Sequence, residues 1–446
     1  MRDRDTRQRQ SVAIGAGCFD DDSLSRVSVS ALLDRLRRAH SRLRQRPVDD
    51  ILISLEGVVA QWLQPGSTWR ETAEEMLPAA TGFSPAMIRL GLPWMLASLR
   101  APAIADLLAA ELGDRDALDM FVGGRRAIGP PIVLHMLPGN LPATAAIPMV
   151  LSLAIKSCPL MKSAHGDRVF AQLFARSIAA VDPELGECIG ACYWEGGDRS
   201  AEEPAFAGAD LVVASGDDET IAALRSRCPV RFIGHGHKVS CAVITADVLA
   251  DAAGARSAAA ALATDVSLWD QQGCLSPQVC FVEGDFEAAC AWAELLVPEL
   301  ARLAERLPPR ASGLAERAAI RHFRDEAEWA RAAKGTAALY APGDSTDWTV
   351  VVEREGVFRP TPLARSLRVL PVRRFDDLER LLGPARSIVE AAGRVSDSAR
   401  AAHLDEVLAR AGVHWIAPLG QMQHPPLSWP QGGRPRVGDW VEWTTA

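Results

Sequence analysis

The stretch PIVLHMLPGNLPATAAIPMVLSLAIKSCPLMKS, residues 131–163, holds the reading on which the fold depends. It opens as a short apolar run, breaks at a Pro-Gly-Asn turn, continues as an apolar segment over 142–155, and closes with a second short run around Cys158–Lys162. Short apolar runs bounded by turn signals suit buried strands, and the longer segment between them suits a helix. Strand, helix and strand in that order predict a crossover between parallel neighbours.

Outward from this unit the alternation continues. A helix is expected over 167–181, strands over 187–194 and at DLVVASG (210–216), a helix over 217–227, and a strand at VRFIG (230–234). Upstream, residues 29–120 carry helical spacing, as in SALLDRLRRAHSRLRQR (30–46). Downstream, CAVIT (241–245), PQVCFVEG (277–284), DWTVVVERE (347–355), LRVLPV (367–372) and VHWIAPLG (413–420) read as strands, with helices at 285–307 and 313–334. The fold class is α/β. A chain of 446 residues exceeds one compact core. Four parts are expected: a mobile polar leader over 1–25, a helical region with a first α/β domain over 26–241, a second α/β domain over 242–425, and a tail over 426–446 read as one exposed strand.

Composition narrows the function classes. The chain is 48% hydrophobic and 23% charged with mean hydropathy +0.03, ordinary for a soluble globular protein. Its net charge of −8 argues against a nucleic-acid binder, which usually carries a basic footprint. The longest apolar stretch, 141–156, contains two prolines, ends in Lys156 and is too short to span a bilayer. The opening MRDRDTRQRQ leads into no apolar signal core. A cytoplasmic protein with reduced thiols is expected. The nine cysteines are irregularly spaced, and Cys188 and Cys192 have no second pair at zinc-site spacing, so no metal is expected. Lysine occurs only at 156, 162, 238 and 334, against 44 arginines, which singles out each ammonium.

Five short pieces carry candidate chemistry. In HMLPGNLPA (135–143), a turn at the carboxyl end of a parallel strand lies where α/β sheets bind ligands. The Asn140 amide there could donate to an oxyanion, or Gly139-Asn140 could be a plain loop. In CPLMKSAHGD (158–167), Lys162 and Ser163 suit a phosphate, or Lys162 is a solvated charge. In DLVVASGDDETI (210–221), Ser215-Gly216 could approach a pyrophosphate, while Asp217 and Asp218 complement a helix dipole. No GxGxxG appears anywhere. In VRFIGHGHKVSCAVIT (230–245), His235 and His237 are spaced to share a strand face, and the glycines suit close backbone approach. Finally, Cys274 in DQQGCLSPQVCFVE (270–283) precedes a strand in a polar setting where a thiol stays accessible, whereas Cys280 and Cys290 read as core.

Taken in order, LPGNLP, LMKSA, ASGDDE, GHGHK and QQGC resemble the succession of site segments in the aldehyde dehydrogenase superfamily. The wording of DQQGCLSPQ and the late IAPLGQM resembles the LuxC-type acyl-CoA reductases, the fatty-acid reductase components of bacterial luminescence and their relatives. That resemblance implies a Rossmann-type NADP-binding domain and a catalytic domain, with the active site between them. It implies NADPH-dependent reduction of a fatty-acyl thioester, such as acyl-CoA, to the aldehyde through an acyl-cysteine. Cys274 would be the nucleophile, Asn140 with the Cys274 N–H the oxyanion site, and His235 a candidate proton donor. Leu137, Pro138, Lys162, Ser163, Ser215 and Gly216 would line the cofactor. A homo-oligomer built with the tail strand, and an acyl-transferring ligase or carrier protein as partner, are implied as well. Two rivals remain: a reductase of acyl groups on a carrier protein, and a non-catalytic scaffold that binds a ligase. The chain departs from the superfamily pattern where Gly234 replaces the glutamate that activates water, which disfavours release of free acid. It departs again in TPLARSLRVLPV (361–372), which offers no carboxylate for the nicotinamide ribose.

Overall fold

The computed structural model describes residues 28–395 and 400–446; the leader expected over 1–25 lies outside them. Helices come first. Val29–Leu43 buries Leu32, Leu33, Leu36, Ala39 and Leu43, a stripe repeating every three or four residues. Its Arg35 donates to the carbonyls of Glu187 and Ile189, fastening this helix to the sheet that follows.

Strand β1 (Arg125–Ile128) stands apart from that sheet. Strands β2 (Ile132–Met136), β3 (Cys158–Ser163), β4 (Gly190–Tyr193), β5 (Leu211–Ser215) and β6 (Arg231–His235) form a five-stranded parallel sheet in the order β4-β3-β2-β5-β6. The chain moves from β2 outward through β3 and β4, then returns to β5 and β6 on the other side. Its direction therefore reverses between β2 and β5, and the crevice at the carboxyl ends of these strands is where such sheets take ligands.

The second sheet has seven strands. They are β7 (Val239–Ile244), β8 (Pro277–Glu283), β9 (Ala337–Tyr340), β10 (Thr349–Glu353), β11 (Ser366–Val372), β12 (Val389–Arg394) and β13 (Trp415–Pro418), in the order β13-β12-β7-β8-β11-β10-β9. All neighbours are parallel except β9 with β10. The link from β6 to β7 spans only residues 236–238. So short a link sets the carboxyl edge of the first sheet against the amino edge of the second.

Three expectations change. The helix expected over 142–155 runs only Ala146–Ala154, because the turn extends to Ala143 with φ of 62°. Strand β12 has no counterpart in the sequence reading, since VEAAGR mixes a charge and a glycine and lacks the β-branched run that marks a strand. The tail is not one exposed strand. Only β14 (Glu442–Thr445) is extended, paired antiparallel with β1, while Arg436, Val437, Trp440 and Val441 are buried. The cause is Glu111, whose carboxylate accepts the N–H groups of Arg436, Val437 and Gly438 and rolls the chain inward.

Candidate active site

The residues expected to line a cofactor fall in one row along the carboxyl edge of the first sheet. Leu137 and Pro138 leave β2, Lys162 and Ser163 end β3, Ser215 ends β5 with Gly216 next, and His235 ends β6. The loops are laced together: the Leu137 N–H donates to the Lys162 carbonyl at 3.1 Å, and the Gly216 N–H donates to the His235 carbonyl at 3.1 Å. Lys162 is half-buried, its ammonium 5.6 Å from the Tyr193 ring centroid, and among the described residues no carboxylate lies within 4 Å of it. Burial lowers its pKa, as expected of a cation without a close partner. Arg168 lies over the same ring at 3.8 Å and donates to the Tyr193 hydroxyl at 2.9 Å. Two cations and an aromatic face at strand ends are a donor set that fits a nucleotide and its phosphates.

Across the crevice, Cys274 stands just before β8, at the amino edge of the second sheet. Asn140 is exposed and reaches over: its Nδ2 donates to the Gln272 carbonyl at 2.6 Å, two residues from the thiol. The Cys274 carbonyl accepts from the Ser240 hydroxyl at 2.7 Å, and that same Oγ accepts from the Ala391 N–H at 3.1 Å. Cys274 packs beside Leu275, Ala391, Met422 and Trp429.

The loop before the cysteine is built differently from its polar wording. Trp269, Asp270 and Gln271 all take left-handed backbone angles, with φ of 55°, 49° and 65°, and so do Leu363, Ala364 and Arg365, at 62°, 50° and 58°. Left-handed backbone at non-glycine residues costs energy that the surroundings must hold in place. Here two such turns hold each other. Arg365 donates from Nε and Nη2 to Asp270 Oδ1 at 2.9 and 2.7 Å. Gln271 donates to the carbonyls of Pro277 and Ser366 at 2.7 and 2.9 Å, and its Oε1 accepts the Ser366 N–H at 2.9 Å. Asp270, Gln271 and Arg365 are almost wholly buried. Half of the Gln-Gln pair is thus an internal brace. TPLARSLRVLPV supplies its other side.

The thiol is also more enclosed than the sequence implied. The residue keeps partial exposure, but burial pushes its pKa up to about 12, with Glu390 acting in the same direction and Arg436 and Lys238 against it. Glu390, near the start of β12, is a functional candidate the sequence reading missed; a lone charge between Val389 and Ala391-Ala392 was the available signal. It is fully buried. Its Oε1 accepts the Gly432 N–H at 2.7 Å, and Oε2 lies 3.5 Å from His414 Nδ1 and 4.0 Å from Lys238 Nζ.

His235 ends β6 half-buried, while His237 lies beyond the strand and is exposed, so the two do not share a strand face. Burial, then Arg436, Arg434 and Lys238, push the His235 pKa down to about 4. At neutral pH it is an uncharged imidazole and a weak base. Gly234 does not address the thiol: a Cβ there would sit 2.6 Å from Ile221 Cγ2 and 3.0 Å from Phe232 Cε1. Cys280 is buried as expected, whereas Cys290 is partly exposed. Among the described residues no three His, Cys, Asp or Glu gather into a metal site. No helix among them is long and apolar enough to cross a membrane.

Comparison with known proteins agrees with this architecture. Residues 43–435 match the family described as acyl-CoA reductase (LuxC). The chain is 27% identical over 356 residues to the long-chain acyl-protein thioester reductase of Aliivibrio fischeri, covering 78% of this chain and 71% of that one. It is 25% identical over 331 residues to the enzyme of that name from Photobacterium phosphoreum, covering 72% of this chain and 65% of the relative, so it spans about two thirds of that protein's length. Among solved structures it superposes on aldehyde dehydrogenase 21 of Physcomitrella patens with TM-score 0.70 at 14% identity, covering 93% of this chain and 89% of that one. The NADP-dependent glyceraldehyde-3-phosphate dehydrogenase of Bacillus halodurans gives 0.67 at 15%, covering 94% and 90%. The fold is the aldehyde-dehydrogenase-like fold that the sequence led us to expect.

Proposed function

The chain belongs to the acyl-CoA reductase (LuxC) family, and from that premise we propose that it reduces a fatty-acyl thioester to the aldehyde through an acyl group carried on Cys274. The observation that carries this reading is the bridge from Asn140 to Gln272, which ties the donor leaving β2 to the cysteine loop across the crevice. Cys274 attacks the thioester carbonyl, the bond to the carrier thiol breaks, and the proton of Cys274 leaves with that thiol. The second N–H of the Asn140 amide and the Cys274 N–H steady the carbonyl oxygen as it turns negative. NADPH, when bound, supplies a hydride. With the hydride on the acyl carbon, the carbon–sulfur bond to Cys274 breaks, the aldehyde departs, and the thiolate regains a proton.

Lys162 and Ser163 would hold the adenosine ribose and its 2′-phosphate, and Ser215-Gly216 the pyrophosphate, with Leu137-Pro138 in the turn beside them. The unpaired Lys162 ammonium beside an arginine and a tyrosine ring supports an additional phosphate. His235 ends β6 beside the Ser215-Gly216 turn, its carbonyl accepting the Gly216 N–H. Its depressed pKa disfavours, in the resting protein, the role of proton donor that the resemblance implied. The setting is the cytoplasm, with β14 and β1 as the edge through which copies of the chain associate.

A second reading, favoured by the name that the bacterial relatives carry, takes the acyl group from a protein thiol, on a ligase or a carrier. The test is direct. Purified protein given long-chain acyl-CoA and NADPH should yield fatty aldehyde and oxidised cofactor in equal amounts. Consumption of neither would contradict the acyl-CoA reading, and turnover only with an acylated protein donor would establish the second.

A further inference from the structure

Arg436 is a buried cation without a close counter-charge. Its residue is 8% exposed, and its Nε donates to the Trp429 carbonyl at 2.9 Å. The guanidinium lies over the Trp429 ring, 4.8 Å from the centroid. Among the described residues no carboxylate forms an ion pair with it, and its side-chain hydrogen bond is the one to Trp429. Glu111, the carboxylate whose charge bears on it most, spends its oxygens on the backbone N–H groups of 436–438. Enclosing a charge is costly unless an opposite charge or hydrogen bonds balance it.

Cys274 is the thiol on which the Arg436 charge bears. Trp429, which anchors the guanidinium, belongs to the small apolar cluster against which Cys274 packs. The groups whose charge bears on the thiol come from three elements: Arg436 from the tail, Lys238 from the link before β7, and Glu390 from β12. Lys238 and His414 are themselves turned toward Glu390. The Arg436 charge also acts on Glu111, Glu390 and His235. Two of these charges therefore favour a thiolate and one opposes it. Lys238 lies 4.0 Å from Glu390, whereas among the described residues Arg436 has no carboxylate within that distance.

We propose that Arg436 is the cation that makes Cys274 available as a thiolate, opposed by Glu390, so that the pair sets the reactivity of the nucleophile. Arg436 acts on Cys274 and not on substrate, which makes it a positioning residue for the reaction. The proposal rests on Cys274 being the nucleophile, and the experiment separates the two claims. Wild-type protein, Arg436→Gln, Arg436→Lys and Glu390→Gln are each treated with iodoacetamide between pH 6.5 and 9.5. Alkylation of Cys274, in which the thiolate displaces iodide, is followed by peptide mass. Arg436→Gln should slow labelling about tenfold at each pH, the displacement of roughly one pKa unit that a nearby opposite charge produces. Arg436→Lys should keep most of the wild-type rate. Glu390→Gln retains an oxygen for the Gly432 N–H and should label severalfold faster.

Opposite signs for the two substitutions are the signature, because a loosened fold would expose the thiol and speed both. Equal profiles for Arg436→Gln and wild type, or faster labelling in Arg436→Gln, would overturn the proposal while leaving the nucleophile assignment standing. Failure to label Cys274 in the wild type at any pH would overturn both.

Discussion

Replacing Arg365 with methionine should do more harm than any other single change beside the site. Arg365 and Asp270 are 0% and 1% exposed as side chains, and the pair is joined by two hydrogen bonds. Methionine fills much of the volume but leaves the Asp270 carboxylate buried without its cation. Removing one partner of a buried pair typically costs about 3–5 kcal/mol. The Leu307 carbonyl also loses its donor, worth about 1 kcal/mol more. The damage should be local before it is global, because the pair holds two left-handed turns whose residues each store about 1–3 kcal/mol. In hydrogen exchange, the amides of 268–276 should exchange far faster in Arg365→Met than in wild type, and the urea midpoint should fall. The double variant Asp270→Asn/Arg365→Met removes the orphaned charge and should be more stable than Arg365→Met alone. A single variant within about 1 kcal/mol of wild type, with the loop still protected, would refute the idea that this pair holds the cysteine loop.

Other consequences are equally open to measurement. Burial pushes the Asp265 carboxyl up to about 7, although it accepts the N–H groups of Gly420 and Met422. The folded protein then holds a proton that an unfolded aspartate, with pKa about 4, releases, so this group's contribution to stability declines as pH rises from 4 to 7. Asp265→Asn should flatten that slope in urea titrations, and an unchanged slope would remove Asp265 as its source. Lys162→Ala should weaken NADPH more than NADH by about 1–3 kcal/mol in titrations of cofactor fluorescence; equal losses would give Lys162 another role. Without a base aimed at water, the acyl-enzyme should release free fatty acid slowly when cofactor is withheld, a base being worth about 10²–10⁴ in rate. Gly234→Glu should not speed that release, because the new side chain would be directed at Ile221; a faster release would show that the side chain reaches the acyl group.

Much of the frame is legible in the chain because it rests on local signals. The run from Pro131 to Ser163 announces its own crossover, and the turns after β2, β3 and β5 fall at strand ends that apolar runs make plain. Legibility fails where a residue's role depends on a distant partner. Gln271 reads as polar and exposed, yet it is buried against Ser366, 95 positions away. Glu390 lies in a strand whose composition hides it, and its partners come from Lys238, His414 and Gly432. Arg436 sits in a tail of charged and glycine residues that looks solvated, and only the capture of three N–H groups by Glu111 turns it inward. Gly234 is the reverse case, a position whose neighbours suggest the active site but whose Cβ direction points into helix Asp218–Arg227.

Everything proposed for the reaction turns on Cys274 carrying the acyl group. Intact-mass analysis after mixing the protein with long-chain acyl-CoA, in the absence of nicotinamide cofactor, reads that out. One acyl increment is expected, mapped to the peptide containing Cys274, absent in Cys274→Ala and discharged as aldehyde on addition of NADPH. An increment that persists in Cys274→Ala, or that maps to Cys228 or Cys290, would contradict the assignment.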